Sequence, residues 1–243
     1  MAPPDVDPQR LERERIHALR ILELDEENWG WNTAAGRIRR TRREEFLAAE
    51  PSPGLTVLEI GCGSGTFTLA LARAFPTLVA IDVADALVEV ARSRFPTVDI
   101  RIMDAHRLGF EDGAFDLVVG CSVLHHLDWR LALRELHRVL KPGGRLRFSE
   151  PNLANPQIFL QKNWPWLKRR LGDSPDEYAF TARRILGDLR SAGFVDAVAE
   201  PYEFLHPAVP PRAIGTVLQL ERWLEGTPLR YVAGSLRITA RRV

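Results

Sequence analysis

The chain has 243 residues, 45% of them hydrophobic and 27% charged, and its 33 Lys and Arg nearly balance 32 Asp and Glu to leave a formal net charge of +1. That length suits one α/β domain with additions, and the charge balance gives no reason to expect a polyanionic partner such as nucleic acid. Two cysteines, Cys62 and Cys121, exclude a disulfide framework or zinc quartet and fit a reducing compartment; no stretch reaches the ~18 apolar residues of a membrane span, so a cytoplasmic location is expected.

In chain order, residues 1–8 hold three prolines and read as a loose arm. A helical pattern over 8–27 follows, its many charges marking a surface helix. Trp29-Gly30-Trp31-Asn32 comes next, and then a basic run, Arg37, Arg39, Arg40, Arg42 and Arg43, with Ile38 as its only aliphatic residue. The tryptophans either close over a ligand as a lid or pin the arm to the domain, the second being the plainer reading. The arginines read first as a solvated helix face and only second as a binding patch. Residues 1–50 are thus expected to form a helical arm or lid, and 51–243 the main domain.

The main domain starts at T-V-L-E-I-G-C-G-S-G-T-F-T, residues 56–68. Val57, Leu58 and Ile60 predict a buried strand, Gly61, Gly63 and Gly65 a turn, and the apolar series after it a helix starting near Thr66. Bare backbone at a helix N-terminus favours an anionic ligand group. The dinucleotide pattern G-x-G-x-x-G fails here, because Thr66 stands where its third glycine would fall.

Strands are predicted at 56–61, 78–82, 99–104, 116–121 and 144–150, and helices at 66–75, 85–94, 129–140 and 179–192. This alternation predicts a doubly wound parallel sheet with its working loops at the carboxyl ends of the strands. Two later strands, 194–205 and 235–241, are joined by a helix around 214–224. Asp82 ends the second strand about twenty residues after the first glycine, the spacing at which an acid receives ribose hydroxyls. Asp104, at the end of the third strand, offers an acceptor to an exocyclic amine, with the small Ala105 beside it. The fourth strand ends in G-C-S-V-L-H-H-L and the fifth in F-S-E-P-N.

E-I-G-C-G-S-G, Asp82, Asp104-Ala105, F-D-L-V-V-G-C-S-V-L-H-H-L and R-V-L-K-P-G-G-R-L together resemble the class I S-adenosylmethionine-dependent methyltransferases, in the small-molecule branch that includes the quinone methyltransferases. The resemblance covers about 55–151. It implies a Rossmann-like, seven-stranded, mostly parallel sheet whose last strand, 235–241, is antiparallel. It implies S-adenosylmethionine as cofactor, with Gly61, Cys62, Gly63 and Gly65 forming the loop against its methionine part and Glu59 orienting that loop and the methionine amino group. Asp82 would hold the ribose, Val83 would touch the adenine, Asp104 and Ala105 would recognise its amino edge, and Cys121 would offer backbone near the methionine amine.

Methyl transfer from a sulfonium needs alignment and exclusion of water before it needs a base. His125 and His126 follow the fourth strand, and either can take a proton from an oxygen or acidic carbon; a structural hydrogen-bonding role is the plainer alternative. His106, Glu150 and His206 are lesser candidates, and no metal set is proposed. The D/N-P-P-Y/F sequence of many amino-directed methyltransferases is absent, which favours oxygen or carbon acceptors. An insertion at about 153–178 carries Phe159, Leu160, Trp164, Trp166 and Leu167 beside Lys168, Arg169 and Arg170. It reads as a helical cap over a hydrophobic or lipid-linked acceptor, or as a segment at a membrane surface, or as plain packing. The rival functions are a nicotinamide oxidoreductase, an RNA methyltransferase tracking phosphates along Arg37–Arg43, and a non-catalytic cofactor-binding protein.

Overall fold

The computed structural model describes residues 8–24, 30–170, 174 and 177–243. The loose arm at 1–7, the end of the first helical pattern at 25–27, Trp29, and positions 171–173 and 175–176 of the cap lie outside the described residues.

The centre of the fold is β1 (Thr56–Ile60), flanked in parallel by β2 (Thr77–Asp82) and β4 (Phe115–Cys121). β3 (Asp99–Ile102) extends the sheet beyond β2, and β5 (Leu140–Pro151) beyond β4. On the far side β7 (Ser235–Arg242) runs antiparallel to both β5 and β6 (Phe194–Tyr202), giving the order β3-β2-β1-β4-β5-β7-β6. Val57, Leu58, Glu59 and Ile60 are all buried because a parallel sheet is covered on both faces. One face packs Leu58, Ile60, Val118, Leu133, Leu136 and Phe148, and the other Leu47, Val57, Leu71, Phe75, Leu117 and Val119.

Local chemistry places the helices. α5 (Trp129–Val139) begins where Asp128 accepts from the amides of Arg130 and Leu131, and its buried stripe is Ala132, Leu133, Leu136 and Val139. α4 (Asp85–Arg94) and α3 (Thr68–Ala74) cover the first half of the sheet. α3 starts two residues later than the sequence implies, because the glycine turn continues through Thr66 and Phe67. β3 stops at Ile102, which leaves Asp104 in a loop. β5 starts earlier than expected and absorbs K-P-G-G, with a bulge between the Phe115–Leu140 and Leu117–Arg145 pairs. α8 (Ala182–Ser191) waits for its cap, Thr181, whose hydroxyl accepts from the Arg184 amide.

Two N-terminal expectations change. α1 (Pro8–Leu24) is not only a surface helix: Ala18 packs on Ala84 and Leu87, and the Arg10 guanidinium donates to the His126 carbonyl at 2.6 and 3.0 Å. α1 therefore lies across the ends of β2 and β4. The basic run sits in α2 (Ala34–Leu47), and it is not simply a solvated face. Arg43 is buried and donates to both oxygens of Glu203 at 2.8 and 2.7 Å, Arg39 reaches Glu203 at 2.9 Å, and Arg42 reaches Glu221 at 2.6 Å. Glu221 lies on α9 (Pro211–Glu225), so acids 160 or more residues away turn these arginines inward.

Candidate active site

A cavity of about 840 Å³ opens at the carboxyl edge of the sheet, where β1 and β4 diverge in strand order. Its floor at one end is the glycine loop. Gly61 has φ +69°, and a Cβ there would stand 2.4 Å from Val123 Cγ2, so this position needs glycine for backbone and for space. Gly63 has φ +54°, but a Cβ there would meet nothing within 4 Å and would project into open space beside the cavity. A ligand backed by bare main chain fits such a cradle.

Asp82 fixes this loop. Its Oδ2 accepts from the Gly63 amide and its Oδ1 from the Ala84 amide, both at 2.9 Å. Burial raises its pKa against those bonds. Each oxygen keeps acceptor capacity for one further donor. Asp104 Oδ1 accepts from the amide of His106 at 2.9 Å and pairs with His106 Nδ1 at 2.6 Å, while His106 Nε2 accepts from the Asp128 amide at 2.9 Å. That network fixes the Nδ1–H form of His106 and leaves Asp104 Oδ2 for another donor. A sequence reading had no means of seeing His106 as a strut between Asp104 and α5.

Of the expected cofactor contacts, Gly61, Cys62, Gly63, Asp82, Val83, Asp104, Ala105 and Cys121 line the cavity. Glu59 and Gly65 do not. Glu59 is buried behind the loop, accepts from Thr68 Oγ1 at 2.8 Å, and has its pKa pushed up to about 7 by burial. It therefore ties the loop to α3. At Gly65 the Cβ direction points at Phe95, away from the cavity.

The opposite end is built around a short 3-10 turn, Leu124–His126. Glu150, buried at the end of β5, accepts from the amides of Val123 and Leu124 at 3.0 and 2.9 Å and from His125 Nδ1 at 2.7 Å. Burial raises the pKa of Glu150 to about 7, and burial together with the neighbouring His126 and Lys162 holds His125 well below its usual value, so His125 is neutral. His126 Nδ1 bonds Glu14 Oε2 of α1 at 3.0 Å. Burial works against its charged form, but the Glu14 bond and the charge of Glu177 outweigh burial and raise its pKa.

Glu177 is the hub of this end. It receives Lys162 Nζ at 2.5 Å and the Ser174 amide at 2.6 Å, and nitrogens of His17, His125 and His126 lie 3.7, 4.0 and 3.9 Å away. Burial acts upward on its pKa and is overcome by His126 and Lys162, which hold it low. His125, His126 and Glu177 each bring a potential metal-ligand atom within 4.8 Å of the others, but Lys162 already supplies positive charge at that carboxylate.

Both candidate histidines line the cavity, as does His206, whereas Glu150 does not. Residues that the sequence reading missed include Glu14, His17, Lys162 and Glu177, and none carries a local motif. Trp31 also lines the cavity, edge-on to Phe67 with ring centroids 5.8 Å apart and flanked by Arg39 and Arg43. Ile158 of α6 (Pro156–Asn163), with Phe204, Leu205 and Pro207 after β6, adds apolar side chains to a wall that also carries Gln157, Gln161 and His206.

Residues 58–148 match a family described as methyltransferase domain. A demethylmenaquinone methyltransferase of Streptomyces avermitilis is 32% identical over 158 residues, covering 62% of this chain and 68% of that protein. An uncharacterized methyltransferase of Schizosaccharomyces pombe is 36% identical over 168 residues, covering 67% and 66%. A solved Thermotoga maritima S-adenosylmethionine-dependent methyltransferase, described as a possible histamine N-methyltransferase, shares the fold with TM-score 0.69 at 18% identity, over 96% of this chain and all of that one.

Proposed function

The chain belongs to the class I S-adenosylmethionine-dependent methyltransferases, in the branch that resembles the quinone methyltransferases, and from that premise we propose that it methylates an oxygen or acidic carbon of a small, largely apolar acceptor. S-adenosylmethionine is its cofactor, and when bound supplies an electrophilic methyl group on a sulfonium. The observation that carries the proposal is the single cavity joining two unlike ends: a glycine cradle with Asp82 and Asp104, and a histidine–glutamate cluster beside the apolar side chains of Ile158, Phe204 and Leu205. Its volume of about 840 Å³ lies high in the ~300–1,000 Å³ range of ligand sites, which leaves room for an acceptor beside the cofactor.

In this reading the Gly61–Gly63 backbone takes the methionine part, the remaining acceptor capacity of Asp82 takes the ribose hydroxyls, and Val83, Asp104 and Ala105 bound the adenine. Cys121 offers backbone beside the methionine amine. Gly65 and Glu59 hold the loop from behind. α1, Trp31 and the cap exclude water, so α1 with Trp31 serves as a lid.

His126 is the base. Its Nδ1–H donates to Glu14, which leaves Nε2 to take a proton from the acceptor, and Glu14 and Glu177 stabilise the imidazolium that forms. His125, held neutral on Glu150, is a positioning residue.

The arginine run gives little support to an RNA substrate, because Arg39, Arg42 and Arg43 are spent on Glu203 and Glu221. The test is calorimetry with S-adenosylmethionine, S-adenosylhomocysteine and NADH, followed by mass spectrometry of phenolic, quinol, lipid-linked and RNA acceptors. Methylation of phenols or quinols is expected. Binding of NADH alone, or methyl transfer to RNA alone, overturns the proposal.

A further inference from the structure

Among the described residues, the aromatic side chains most exposed to solvent are Phe159, Trp164, Trp166, Tyr178, Trp223 and Tyr231. They fall in two segments. One is the cap, made of α6, α7 (Pro165–Arg170) and the stretch leading to α8; the other is α9 with the 3-10 turn after it, Pro228–Val232. With Leu160, Leu220 and Leu229, these side chains are 45–62% exposed. The two segments meet: Asn155, the cap of α6, donates to the Val232 carbonyl at 2.9 Å, and Asn152 donates to the Tyr231 carbonyl at 3.0 Å.

Cations outnumber acids on both segments. Residues 153–170 hold Lys168, Arg169 and Arg170 and no acid; Lys162 is buried on Glu177, and Asp173 and Asp176 follow before α8. On the second segment stand Arg212, Arg222 and Arg230 against Glu225, since Glu221 is buried on Arg42. Guanidinium groups lie over the exposed rings, Arg170 at 5.5 Å from the Trp166 centroid and Arg230 at 5.0 Å from that of Tyr231. Trp and Tyr beside Arg and Lys suit the boundary between lipid headgroups and acyl chains. A two-fold contact between copies of the chain would set these cations against one another, which disfavours self-association. Gln157, Ile158 and Gln161 of α6 meanwhile line the cavity, so the cap has the site on one side and its aromatics on another.

We propose that the cap and the α9 segment dock the enzyme on an anionic phospholipid surface, so that α6 stands between the bilayer and the acceptor end of the cavity. The proposal rests on the reading of the acceptor as an apolar, lipid-like molecule. No described helix is long and apolar enough to cross a membrane, so the contact is peripheral.

The test is sedimentation of the full chain with vesicles of phosphatidylcholine alone and of phosphatidylcholine mixed with phosphatidylglycerol. Binding to the mixed vesicles, weakened by salt and at least about tenfold weaker in a Trp164→Ser, Trp166→Ser variant, is expected. Trp223→Ser should weaken it by a smaller factor. Calorimetric cofactor binding checks that each variant is folded. Absence of binding to anionic vesicles overturns the proposal, as does wild-type binding by the double variant. Dimerisation of the wild type that the double variant abolishes also overturns it, in favour of a second copy. Turnover of a short-chain phenol or quinol without vesicles is scored separately: its failure with docking intact counts against the acceptor reading and not against the surface.

Discussion

At the proposed cofactor end of the cavity Asp82 bonds Gly63 and Ala84, partners 19 and two residues away, whereas at the proposed acceptor end Glu14 bonds His126 across 112 residues and Ser174 across 160. The first end is main chain held by neighbouring main chain, with side chains only fixing its shape. The second is assembled from side chains of α1, the turn after β4, α6 and the segment before α8. The glycine-loop end is set by the strands of the sheet. The histidine–glutamate end depends on α1 and the cap being in place.

The largest expected effect comes from the tie that holds the N-terminal helices to the C-terminal half. Arg43→Met leaves the buried Glu203 with Arg39 as its remaining cation and should cost about 3 kcal/mol, read by urea unfolding, while Arg43→Met with Glu203→Gln recovers part of it. A loss under about 1 kcal/mol in the single variant would show that the two halves are joined otherwise. Next, His126→Gln should lower turnover about a hundredfold and leave cofactor affinity unchanged, because its bonds lie at the acceptor end. Equal losses in both measurements would erase the distinction between the ends.

Asp82→Ala should weaken S-adenosylmethionine binding by about 1–3 kcal/mol in calorimetry with little change in the KM of the acceptor. Unchanged affinity would remove Asp82 from the site. The smallest effect is with pH. The pKa of His126 is raised above its ordinary 6.5, so its charged pairing with Glu14 holds α1 at full strength below pH 6.5 and weakens to a neutral Nδ1–H bond as pH rises through the folded value. The base needs the neutral ring, so turnover should climb over the same interval in which α1 becomes easier to cleave with protease. A pH–rate profile that is flat there in the wild type, or unchanged in His126→Gln, would refute the base.

The seven strands, their alternation with helices, and the glycine turn with an acid after the next strand were legible in the sequence. Each rests on a pattern within about thirty residues: an apolar run, a glycine turn, an acid at a strand end. Even there, burial of Glu59 behind the loop and the turning of Gly65 toward Phe95 were decided by packing against α3 and α4. His125 and His126 were visible as residues, but nothing local distinguishes a neutral histidine on Glu150 from a raised one on Glu14. The run Arg37–Arg43 carried the opposite lesson, since five cations in seven positions look solvated until Glu203 and Glu221 arrive from the far end of the chain. Sequence by itself determined the backbone cradle, because hydrophobic period and glycine conformation act at short range. Only the tertiary structure decided which charges are buried, paired and able to hold a proton, because desolvation and Coulomb interaction depend on distance in space and take no account of distance along the chain.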